Sequence, residues 1–325
     1  MAVNSPVGGR RGNGRRAGLG ACKSVTITCV SETGWHDTGR LLDDIEAGGG
    51  PGGDQWRTEW DAGNSAGSCS LVEVVARNGR RRRFLVDCGW NAQYMAERFR
   101  ASGVDRMLAS GAIDFLYLSH EHFDHFWGVE AVLRLAPAIR IVAPAGFRPE
   151  ALQLLGGGSF PRSGAGNAVR HQGRLDLLPA GRLHRLMAGV GSATFDLSIL
   201  MGVQGEQSLF FSIEGKGVLC VTGCCHQGVL SLADYARREV ASDGRLYGLY
   251  GGLHISPFGP LKAEGEATVR GIGEYGFAKI ACNHCTGLPA VEMMAALGYP
   301  LVGGSGREGS KSALYLGNGD SVTFG

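Results

Sequence analysis

Three histidines and one aspartate fall within six positions of this 325-residue chain, in the run His120-Glu121-His122-Phe123-Asp124-His125. Imidazole nitrogens and carboxylate oxygens are preferred ligands of zinc and similar ions, and a catalytic zinc keeps about three protein ligands. Four such side chains in one turn can fill most of one metal position or begin two adjacent ones. The chain has only nine histidines, and a merely polar loop has no need of three of them. The preceding stretch, Ile113-Asp114-Phe115-Leu116-Tyr117-Leu118-Ser119, reads as a buried strand, so the ligands sit on the loop at its end. His120 and His122 are two apart and can face one ion, while Asp124 and His125 point to a neighbouring position.

Four other segments end apparent strands in glycine turns that carry reactive side chains. They are Phe84-Leu85-Val86-Asp87-Cys88-Gly89, Val218-Leu219-Cys220-Val221-Thr222-Gly223-Cys224-Cys225-His226-Gln227-Gly228, Gly251-Gly252-Leu253-His254, and Cys282-Asn283-His284-Cys285-Thr286-Gly287. With the histidine run they resemble the metallo-β-lactamase-fold hydrolases over roughly residues 65–320. The resemblance implies an α/β (α+β) fold, an αββα sandwich of two mixed sheets with helices outside. It assigns His120 and His122 to one ion and Asp124 and His125 to the other, with His284 completing the second position. It also makes Asp87 the residue that orients a ligand histidine.

The chain departs from the family in two places. The family's Gly-His-Thr loop corresponds to Met187-Ala188-Gly189-Val190-Gly191-Ser192, which has no histidine; His184 lies just upstream. The bridging aspartate is replaced by the Cys224-Cys225-His226 turn. Either Cys224 bridges as a thiolate, since a metal depresses a thiol's pKa, or His226 turns in for the missing histidine, or both are structural. His254 either meets a substrate anion, moves a proton or caps its loop. These turns resemble the branch that includes the dihydropterin ribofuranosylaminobenzene-phosphate synthases, whose members typically show Gly-Cys-Ser-His and Gly-Gly-Phe-His there.

The activity implied is metal-dependent hydrolysis of a small-molecule ester, lactone, amide or phosphoester, with one or two Zn2+ ions (Mn2+ or Fe2+ being alternatives) activating water. Asp124 and His254 are the catalytic candidates beside the metal. A pterin-synthase-like transferase on the same fold and a non-catalytic metal-binding protein are the rival readings.

The positioning elements follow from pattern. Val25–Val30 reads as the first strand, Ser70–Ala76 and Arg83–Val86 as a hairpin about Asn78-Gly79, and Asn91–Ala101 and Val129–Leu135 as helices. Strands and helices then alternate to His284. Residues 1–24 read as a disordered Gly- and Arg-rich tail, and residues 25–325 as one domain. A Trp-rich insertion at about 31–68 is either a pocket wall or a surface arm, with His36, Asp37, Trp56 and Trp60 as candidate pocket groups.

The composition is permissive. A net charge of +2 gives no electrostatic case for nucleic acid. No run of about twenty apolar residues is present to span a bilayer. Nine cysteines cannot all pair internally, so the expectation is a reduced, cytoplasmic protein. Its partner is a small-molecule substrate, and a homodimer is compatible with the chain.

Overall fold

The structure is a computed structural model that describes residues 18–325. Most of the expected N-terminal tail lies outside the described residues. Its last seven positions do not: residues 22–24 begin the first strand, Cys22–Ser31, and Leu19 before it is already buried.

Two half-sheets pack face to face. The first runs from strand Cys22–Ser31 through Cys69–Ala76, Arg81–Val86, Phe115–Tyr117 and Arg140–Pro144 to Leu175–Leu178. The second runs from Val203–Ile213 through Gly217–Thr222 and Leu246–Gly252 to Lys279–Asn283, with Val190–Ile199 and Leu183–Met187 paired on its other side. Hydrogen bonding continues across the single pair Cys22↔Ile213, so the two expected sheets form one 13-stranded sheet folded on itself.

The layers are visible in the core. Val25, Val72, Phe84 and Phe115 of one half share a cluster with Leu209, Phe211, Leu219 and Tyr250 of the other. The outer face of the first half packs on Met95, Phe99 and Val132 from helices Ala92–Ser102 and Val129–Leu133. The outer face of the second packs on Leu232, Val269 and Met294 from helices Val229–Tyr235, Ala263–Ile272 and Leu288–Ala296. This is the αββα arrangement, each sheet burying both faces.

Two boundaries shift for physical reasons. The strand before the histidine run spans only Phe115–Tyr117, because Ser119 and the histidines satisfy their polar groups at the centre and not in the ladder. The tail Ala313–Phe324, which reads as strand from its sequence, is mostly irregular, and only Ser321–Phe324 pairs, antiparallel to the first strand.

Candidate metal centre

Six of the nine histidines, His120, His122, His125, His226, His254 and His284, gather where the strand ends of the two half-sheets meet. Cys224 sits among them. Donor atoms of His120, Cys224 and His226 lie within 4.8 Å of one another, as do those of His125, Cys224 and His284.

The outward hydrogen bonds fix where each ring carries its proton. Asp87 accepts from the Ser119 hydroxyl at 2.8 Å, so the Ser119 oxygen is left to accept from His120 Nδ1 at 2.8 Å. The Leu200 carbonyl can only accept, so His122 donates to it from Nε2 at 3.0 Å. Hence His120 Nε2 and His122 Nδ1 face each other at 2.9 Å as two lone pairs. The same holds on the other side. His125 Nδ1 donates to Asp87 Oδ2 at 2.7 Å, and His284 Nδ1 donates to the Glu32 carbonyl at 3.1 Å. Their Nε2 atoms meet at 3.1 Å, with Asp124 Oδ2 3.2 Å from His284 and Cys224 Sγ 3.1 Å from His125.

Lone pairs this close repel unless a cation lies among them, so the donor set fits metal ions. Charge tells the same story. Burial opposes a charge on His125, yet Asp124 and Asp87 raise it to about 9, so this position favours a cation. Burial would raise Asp124, but the charges of His125 and His284 hold it below the usual carboxylate range. Burial and the neighbouring imidazoles lower His120, and burial lowers His122 to about 3, keeping both neutral and able to ligate.

The backbone is strained where the chain delivers these groups. Asp87, Cys225, His254 and His284 have φ of 62°, 64°, 46° and 52°, four of the six positive-φ non-glycine residues among the described ones. Gly34 packs so closely that a Cβ there would come 2.6 Å from both Asp124 Oδ2 and His284 Cε1.

Two residues absent from the sequence-level site complete it. Glu206, fully buried on strand Val203–Ile213, accepts from His226 Nδ1 at 2.8 Å. Burial would raise Glu206, but His226 holds it down at about 2. A lone carboxylate in an apolar strand was its only signal. Cys285 lines the cleft, and its Sγ shares a third donor group with Cys224 and His254. Above the donors is a narrow cleft walled by Trp35, Leu41, Ile45, Leu200 and Phe258.

Several sequence candidates lie elsewhere. Trp56 and Trp60, expected in the pocket, are core residues: Trp56 packs on Trp127 and Phe160, and Trp60 on Trp90 and Phe123. The insertion instead contributes Trp35 and, from helix Thr38–Ala47, Leu41 and Ile45. Asp37 is that helix's N-cap, accepting from Arg40 N at 3.1 Å. His36 lies at an adjoining surface cavity with Lys311 and Tyr315. His184 hydrogen-bonds the Pro179 carbonyl and joins none of the donor groups. Glu121 points away from the donors, accepts from Arg148 N at 2.8 Å and is raised to about 8 by burial.

Residues 62–196 match the model of the metallo-beta-lactamase superfamily. A crystal structure of a metal-dependent hydrolase of the beta-lactamase superfamily superposes with a TM-score of 0.52 at 19% identity, covering 84% of this chain and 92% of that one. Zn2+-bound PqqB from Methylobacterium extorquens gives 0.52 at 10% identity, covering 92% and 99%. The chain therefore has the metallo-beta-lactamase fold, and its residues 62–196 match that superfamily's model. It is also 25% identical over 252 residues to 7,8-dihydropterin-6-methyl-4-(beta-D-ribofuranosyl)-aminobenzene-5'-phosphate synthase of Methanocaldococcus jannaschii, which covers 69% of this chain and 81% of that protein.

All nine cysteines are free and buried. Among the described residues no helix is long and apolar enough to cross a membrane.

Proposed function

We propose that the protein is a metal-dependent hydrolase of a small organic molecule with an ester, lactone, amide or phosphoester bond. The observation that carries this is the pair of inward-facing lone-pair contacts at 2.9 and 3.1 Å, each backed by outward hydrogen bonds. His120, His122 and His226 would hold one ion, and Asp124, His125 and His284 the other, with Cys224 between them. Zn2+ suits this nitrogen-, oxygen- and sulfur-donor mixture. A bound ion of this kind supplies Lewis acidity and brings the pKa of coordinated water toward neutrality.

The chain's own groups then have defined tasks. Asp124, its carboxylate kept ionised, accepts a hydrogen bond from the attacking water and orients it. His254 lines the cleft with a buried Nδ1 that has no protein partner, so it can donate to the departing group. Asp87 fixes the ring of His125. Trp35, Leu41, Ile45 and Phe258 exclude water and select a compact apolar or aromatic substrate body.

A second reading is favoured by the match to the synthase: a transferase that condenses a pterin-type ring held against Trp35 and Phe258, which lie 5.7 Å apart. Protein purified without chelator should carry up to two equivalents of transition metal. Less than half an equivalent would remove both readings and leave at most a weak metal binder. Turnover of generic esters and phosphodiesters supports the hydrolase, whereas consumption of a pterin pyrophosphate only with an aromatic amine present supports the transferase.

A further inference from the structure

We infer that Glu206 is the positioning residue that makes the His120–His122–His226 position able to hold its ion, and that the Asp124–His125–His284 position does not depend on it. The inference rests on the two-position reading above. The Cys224–His226 turn follows strand Gly217–Thr222 and has no ladder to shape it. Glu206 does that work from the neighbouring strand. Its Oε1 accepts from Cys224 N at 3.0 Å, Cys225 N at 2.7 Å and the Thr222 hydroxyl at 3.2 Å. Its Oε2 accepts from His226 N at 2.7 Å and His226 Nδ1 at 2.8 Å.

One carboxylate thus fills a concave row of three successive backbone N–H groups, as an anion does in a backbone nest. The row includes Cys225, held at a φ of 64° that a residue with a Cβ rarely adopts. Ser208, two residues on and therefore on the same strand face, accepts from Gln227 Nε2 at 3.0 Å and ties down the next residue of the turn.

The consequence for His226 is specific. Because Nδ1 must donate to Glu206, the ring's lone pair is on Nε2. That atom is buried without a protein partner, and the ring lies 5.0 and 5.1 Å (centroid to centroid) from those of His120 and His122. His226 then replaces the histidine missing from Met187–Ser192, and its alignment depends on a residue that none of the motifs contains. The second position has its own supports, Asp87 and the Glu32 carbonyl, which make no contact with Glu206, and it meets the Glu206 turn only through Cys224 Sγ, 3.1 Å from His125.

The test is metal stoichiometry and affinity by plasma mass spectrometry and competitive chelator titration with Zn2+, for wild type, Glu206→Gln, His226→Ala and the double variant. Glutamine keeps the shape but presents an amide where N–H groups already point. The expected result is a 10–100-fold loss of affinity for one ion in Glu206→Gln. The other ion should be unchanged, with no further loss on adding Glu206→Gln to His226→Ala. Two ions at wild-type affinity in Glu206→Gln, equal weakening of both, or additive loss in the double variant would overturn it. Wild type that binds no metal would instead defeat the underlying two-position reading. Should Glu206→Gln lose its far-UV circular dichroism signal, Glu206→Asp decides by the same counts, since it keeps the charge but retreats by one methylene.

Discussion

The two halves of the candidate metal centre are built from similar rings but differ in charge. His120, His122 and His226 offer three imidazoles, held by a hydroxyl, a backbone carbonyl and Glu206. Asp124, His125 and His284 include a carboxylate among the donors, and a second carboxylate, Asp87, stands directly behind His125. A cation at the second position would meet two carboxylates, one of them a donor, and at the first only Glu206, one ring away. The difference teaches that the second position is the tighter one, and the first the one that a change of loop or pH empties first.

The largest expected effect comes from attacking the strong position. His125→Ala removes a donor shared by the His284 and Cys224 contacts and leaves Asp87 buried without its ring. Activity should fall to background, and bound metal to one equivalent or less. Retention of half the activity would end the claim that this position is essential. His122→Ala should by contrast leave one equivalent of metal in place. If it strips both ions, the two positions are not separable and the contrast fails.

A smaller effect is expected behind the ligands. Asp87→Asn keeps the shape but loses the charge that favours a cation at His125, and it should weaken that ion by about 10–100-fold and the His120 ion, reached only through Ser119, by less. A chelator titration that shows the His120 position weakened instead would reverse the ranking.

The smallest effect is on stability against pH, and here the two halves have opposite signs. His125 is raised from 6.5 to about 9, so in metal-free protein its contribution is full below pH 6.5 and is lost as pH rises through 9. His122 is lowered from 6.5 to about 3, so its contribution is present above pH 6.5 and is lost as pH falls toward 3. Metal-free Tm should therefore peak near pH 6.5. Zn2+ should flatten the alkaline side, because the ion takes the place of the proton on His125. A metal-free Tm that rises steadily from pH 6.5 to 9 would show that the His125 position does not favour a cation.

Much of the centre could be read from order along the chain. Residues 120–125 bring four donors together by covalent proximity, and the Asp87 and His284 turns stand out because each closes an apolar run with polar residues and glycine. The alternation of strands and helices gave the layers, since a period of two or near four reports which face is buried. Other assignments failed for a definable reason. Tryptophan reads equally as pocket wall or as core, and only packing decided that Trp56 and Trp60 are core while Trp35 meets the cleft. The continuity of the two half-sheets rests on one residue pair, Cys22↔Ile213, too slight to mark the sequence.

What the sequence determined by itself was the chemistry available: imidazole, carboxylate and thiol clustered at strand ends, in amounts and spacings suited to metal ions. What only the tertiary structure decided was which nitrogen of each ring faces inward, and that Glu206 supports His226. Ring tautomers are set by partners such as Leu200, Glu32 and Glu206, which are 78, 252 and 20 residues from the histidines they hold. The first two hydrogen bonds exist only once the two half-sheets have closed on each other, and the third only once strands Val203–Ile213 and Gly217–Thr222 have paired, so no local pattern of residues encodes them.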